Sequence, residues 1–79
     1  MTTIHEFRTW CEQNKDLAIH TLPQDQWELI DAWRWAVAQN TRANAWLATP
    51  AAILTLVDSA MKLLGPEVLG DIQRTFDER

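Results

Sequence analysis

The residues able to make or break bonds are few and scattered in this chain. Ser59 is its single serine, Cys11 its single cysteine, and His5 and His20 its two histidines. Nucleophilic catalysis needs a hydroxyl or thiol beside a base that a third group orients. Asp58 precedes Ser59 and projects about a quarter-turn away on the same polar strip. No histidine is near in sequence, so folding would have to bring His5 or His20 to the pair, and the plainer reading is a solvated polar face. His5, Glu6, Cys11, Glu12, Asp16 and His20 are all types that ligate transition metals, but none shows a spacing such as Cys-x-x-Cys or His-Glu-x-x-His. Asp16 and His20, four apart, would form a surface contact on a helix. Gly65 and Gly70, the two glycines, both follow leucines at helix-terminal or interior positions, so no Gly-rich phosphate-cradling loop is expected. The reading assigns no catalytic, cofactor or metal site.

The elements that would position any site follow from apolar spacing. Thr49 suits a helix cap, Pro50 the first helical position, and Gly65 followed by Pro66 the end. Between them Ile53, Leu54, Leu56, Val57, Ala60, Met61, Leu63 and Leu64 recur at helical spacing and leave Thr55, Asp58, Ser59 and Lys62 as a narrow wet strip. This predicts a central helix at about 50–64, buried on both flanks. The fold class expected is all-α, a compact four-helix unit built around that helix, with residues 1–79 forming one domain.

A first helix is expected from Ile4 to Asn14. Thr3 and Glu6 stand at capping-box spacing, the Thr3 hydroxyl accepting from the Glu6 amide and the carboxylate returning to the Thr3 amide. Ile4, Phe7, Trp10 and Cys11 share its apolar face. Leu17, Ala18, Ile19 and Leu22 form a short apolar connection against the core. Thr21 caps a second helix with the buried stripe Trp27, Ile30, Trp33 and Val37, which either turns near Asn40 to Asn44 or runs to Leu47. A fourth helix opens at Pro66 and Glu67, with Leu69, Ile72 and Phe76 on one face and Gly70 weakening it.

Eleven acidic against seven basic residues give a net charge of −4, which repels nucleic acid and anionic lipid and leaves basic protein surfaces as partners. The cations Arg8, Lys15, Arg34, Arg42, Lys62, Arg74 and Arg79 are scattered one per element, whereas a recognition helix gathers its DNA-reading side chains on one face. Asp58 and Lys62 break the longest apolar run short of a membrane span. A lone cysteine and an N-terminus without a basic, apolar leader imply a soluble cytoplasmic protein.

One residue of the second helix does not fit its own core. With Trp27, Ile30, Trp33 and Val37 inward, Trp35 faces outward beside Glu28, Asp31, Gln39 and, if the helix continues, Arg42. Either Trp35 packs against another helix, or it anchors an interface, for which Trp is an enriched type. Trp46 is open to the same two readings. The expectation drawn is a small acidic protein-interaction module that binds a larger protein with a basic surface, as an inhibitor or regulator carried by a phage or another mobile element. The alternative is a helix-turn-helix nucleic-acid-binding regulator, and an enzyme ranks third. The short core and the surplus of apolar area predict a homodimer.

Overall fold

The computed structural model describes residues 1–41 and 49–79, which form four α-helices and no strand among the described residues. They are α1 (Ile4–Gln13), α2 (Gln24–Thr41), α3 (Pro50–Leu64) and α4 (Glu67–Asp77), with one 3-10 turn at Ile19–Thr21. The chain is the all-α four-helix unit that its apolar spacing predicts, and α3 packs against each of the other three helices.

The boundaries of α3 are those written in the sequence. The Thr49 hydroxyl accepts from the Ala52 amide at 3.3 Å, Pro50 opens the first turn, and Gly65 ends the helix at φ 90° and ψ 165°. That backbone region is essentially reserved for glycine, and a methyl added at Gly65 would collide with the Glu67 carboxylate. A second orphan amide of the first turn, that of Ala51, donates to the Lys15 carbonyl at 3.1 Å. This ties the α1–α2 connection to the start of α3.

Thr3 caps α1, its hydroxyl accepting from the Glu6 amide at 3.1 Å. The returning carboxylate meets the Thr2 amide at 3.4 Å and the Thr3 hydroxyl at 3.1 Å rather than the Thr3 amide, so the box is closed one residue earlier than expected. The Thr3 hydroxyl, donating to it, holds the Glu6 carboxyl below the usual carboxylate range. Thr21 does not cap α2. Its hydroxyl donates to the Ala18 carbonyl at 2.7 Å inside the 3-10 turn, and the Pro23 carbonyl accepts the first α2 bond from the Trp27 amide at 2.9 Å.

The core is an aromatic ladder set in aliphatic packing. Trp33 on α2 lies between Phe7 of α1, at 5.4 Å between centroids, and Phe76 of α4, at 3.8 Å, with rings nearly parallel in both pairs. The Trp33 indole N–H is satisfied by the Met1 carbonyl at 3.2 Å, as a buried tryptophan requires. Ile19, Ile30, Val37, Ile53, Val57, Val68 and Ile72 fill in around the ladder. Hydrogen bonds then fix how α4 sits. The Asn40 amide donates to the Ala36 carbonyl at 2.8 Å and to the Thr75 hydroxyl at 2.9 Å, and Gln73 receives the Ile4 amide at 2.6 Å while donating to the Thr2 carbonyl at 2.9 Å.

Two expectations about burial are corrected. Leu63 and Leu64, assigned to the buried flanks of α3, are 83% and 59% exposed. Leu63 falls at the edge of the helical wheel between Leu56 and Ser59, and Leu64 sits in the last turn, where Gly65 leads the chain aside. Trp27, assigned to the buried stripe of α2, is 39% exposed. The buried arc of α2 lies toward Ala32 and Ala36, on the side away from Trp27, and these small residues allow the extensive packing of α2 on α4. Thr55, Asp58, Ser59 and Lys62 are exposed, as the wet strip predicts.

Candidate protein-interaction surface

The outward face of α2 follows from its inward one. With Ala32, Trp33, Ala36, Val37 and Ile30 buried, a rotation of about 100° per residue turns Glu28, Trp35 and Gln39 to the opposite side, with Trp27 and Asp31 flanking them. Trp35 is 39% exposed, the same as Trp27, and Glu28 and Gln39 are exposed. Two large aromatic surfaces therefore stand eight residues, or about 12 Å, apart along one helix at 1.5 Å per residue. Exposed tryptophans are uncommon, because each leaves a large apolar area in water.

The charges around them differ in availability. Asp31 is half-buried and bonds Arg34 Nη1 through one oxygen at 2.9 Å, with the Arg34 side chain only 11% exposed, so its charge is largely matched within α2. Glu28 accepts from the Gln24 amide at 3.2 Å and stays in water. Asp25 adds an exposed carboxylate in the first turn. The free negative charge of this face sits at its N-terminal end, nearer Trp27 than Trp35. Trp27 belongs to this surface and not to the buried stripe expected from its spacing; its polar neighbours Gln24, Gln26 and Glu28 are the signal for it in the sequence. The other two residues assigned to the surface, Arg42 and Trp46, lie outside the described residues, as does the question of whether α2 continues to Leu47.

The residues with chemical potential are divided between two other places. A groove of about 340 Å³ between α1 and α3 is lined by His5, Arg8, Thr9, Glu12, Gln13, Leu54 and Asp58. Arg8 Nη2 bridges to Asp58 at 3.3 Å, while Arg8 Nε is buried without a hydrogen-bond partner. Glu12 engages Lys15 at 2.8 Å and, chiefly through that hydrogen bond, holds the ammonium above its ordinary pKa. Folding thus brings His5 to the groove that Asp58 lines, but Ser59 lines a separate apolar cavity with Thr41, Leu56, Ala60, Leu63 and Leu64. The serine and its neighbouring carboxylate open into different recesses. His20 is exposed in the 3-10 turn, and Asp16 precedes that turn, so the two do not share a helix.

Cys11 is buried at 1% exposure, and burial pushes its thiol up to about 12, which removes the thiolate that reactive cysteines depend on. No three His, Cys, Asp or Glu side chains among the described residues are gathered as metal ligands. No helix among them is long and apolar enough to cross a membrane. Compared with known proteins, the chain matches no family model, no curated protein and no solved structure.

Proposed function

We propose that the protein acts by stoichiometric binding, the acidic, tryptophan-bearing face of α2 docking on a basic site of a larger protein and inhibiting or regulating it. The observation that carries this reading is the exposure of Trp27 and Trp35 together on the helix that also holds Asp25, Glu28 and Asp31. Guanidinium or ammonium groups of a partner can lie over the indole faces and beside these carboxylates at once. The distribution of cations supports the same reading over phosphate binding, since Arg8, Lys15, Arg34 and Arg74 are each engaged by a carboxylate. A nucleic-acid-handling machine, with its basic groove, is a fitting target, and an inhibitor carried by a phage or another mobile element is the concrete form we favour.

The test is a paired measurement on Trp27→Ala, Trp35→Ala and their combination. Each should leave the denaturant midpoint nearly unchanged and weaken partner binding by about 2 kcal/mol or more. Glu28→Lys should slow association, and the wild-type association rate should fall as salt rises, because steering acts at encounter. A protein captured from a host extract equally well by the wild type and the double variant would defeat the proposal.

A further inference from the structure

Among the described residues, the C-terminal half of α3 carries a second unpartnered surface of different character. Leu63 stands 83% exposed and Leu64 59% exposed, and beside them lies an apolar cavity of about 230 Å³ lined by Thr41, Leu56, Ser59 and Ala60 as well as the two leucines. Ala52, Leu56, Ser59, Ala60 and Leu63 fall at helical spacing into a stripe with no charge, and its small members allow another helix to approach closely. A protruding leucine next to a recess with room for a leucine is complementary to itself. That is the requirement of a two-fold interface, in which the same patch serves both subunits.

We propose that this flank of α3 joins two copies of the chain, Leu63 of each entering the cavity of the other with the two-fold axis near Ser59. Charge selects the occupant. Each copy carries a net charge of −4, so two copies can meet only where carboxylates are not set against carboxylates. The α2 face, with the exposed carboxylates Asp25 and Glu28, would do so across a two-fold axis. The stripe of the Leu63 flank holds no carboxylate and offers a basic partner nothing. The proposal uses a different face from the binding reading and stands or falls apart from it.

Sedimentation equilibrium of the full chain from about 5 to 500 µM should show the mass rising from one chain to two. The dimer should tighten several-fold between 0.05 and 1 M salt, where the screening length shrinks to about 3 Å and repulsion between the copies fades. Leu63→Asp, at a position in water in the single chain, should keep the helical circular dichroism and thermal midpoint at low concentration and give one-chain mass throughout. Ser59→Cys should crosslink two chains under mild oxidation, without competition from Cys11, which is 1% exposed. A one-chain mass for the wild type at every concentration would overturn the proposal and leave the patch to an apolar helix of another protein. Unchanged self-association of Leu63→Asp would overturn it equally.

Discussion

At the scale of single residues, the most informative contrast is among the tryptophans. Trp33 and Trp35 are two positions apart, about 200° around the helix, and one is fully buried between two phenylalanines while the other is 39% exposed. Periodicity alone separated those two, because the apolar neighbours of Trp33 recur on its side and the polar neighbours of Trp35 on the other. Trp27 departs from the expected stripe for a physical reason: the buried arc of α2 turns toward Ala32 and Ala36, which leaves Trp27 on its far side. Cys11 carries a pH prediction. Its thiol ionises at about 12 in the fold against an ordinary 9.0, so the unfolded chain loses the proton first, and folded stability should fall as pH rises from about 9 toward 12. Denaturant unfolding across that range should show a shallower alkaline decline in Cys11→Ala than in the wild type, and parallel curves would show that the thiol plays no part. The lowered Glu6 pKa has the opposite sign. Its contribution is present at neutral pH and is lost in acid, below the ordinary carboxylate range.

At the scale of elements, helix starts and stops were the most legible feature. Thr3 and Thr49 cap as their spacing implies, because a hydroxyl two or three residues ahead of a free amide has little else to bind. Thr21 carries the same signal and does not act on it. Its hydroxyl is taken by the Ala18 carbonyl in a turn that sequence pattern did not reveal. The burial of α3 yields a test. Ile53→Ala and Val57→Ala remove fully enclosed side chains and should each cost about 2–4 kcal/mol, whereas Leu64→Ala should cost under about 1. Equal losses at Leu64 and Val57, measured by denaturant unfolding below the concentration of self-association, would mean that the last turn of α3 is covered after all. In α4, Gly70 is exposed in the helix interior, and a methyl there meets nothing within 4 Å. Gly70→Ala should therefore stabilise the fold by about 0.5–1 kcal/mol and raise the thermal midpoint by a few degrees. A lower midpoint would show that the position serves something other than the helix.

At the scale of the whole molecule, the all-α four-helix architecture was readable because each helix bears an apolar stripe at a single period. The packing that joins the stripes was not readable. Nothing in the spacing of Asn40, Gln73 or Thr75 announces that they fasten α2 and the N-terminal residues to α4, since those bonds span 69 residues between Ile4 and Gln73 and 35 between Asn40 and Thr75. The proposed surfaces are partly legible for the same reason: a residue foreign to its stripe is visible in sequence, whereas an apolar residue at the edge of its own stripe, as Leu63 is, cannot be told there from a covered one. The two proposed surfaces should also respond oppositely to salt, binding through α2 weakening and pairing through α3 strengthening as ions are added. The layered rings of Trp10, Phe7, Trp33 and Phe76 have an optical consequence. Stacked, immobile chromophores give a near-ultraviolet circular dichroism signal that vanishes when packing loosens, while the wet indoles of Trp27 and Trp35 remain open to a soluble fluorescence quencher. Without any label, the chain thus reports its folding through one set of aromatic rings and the occupation of its outer face through another.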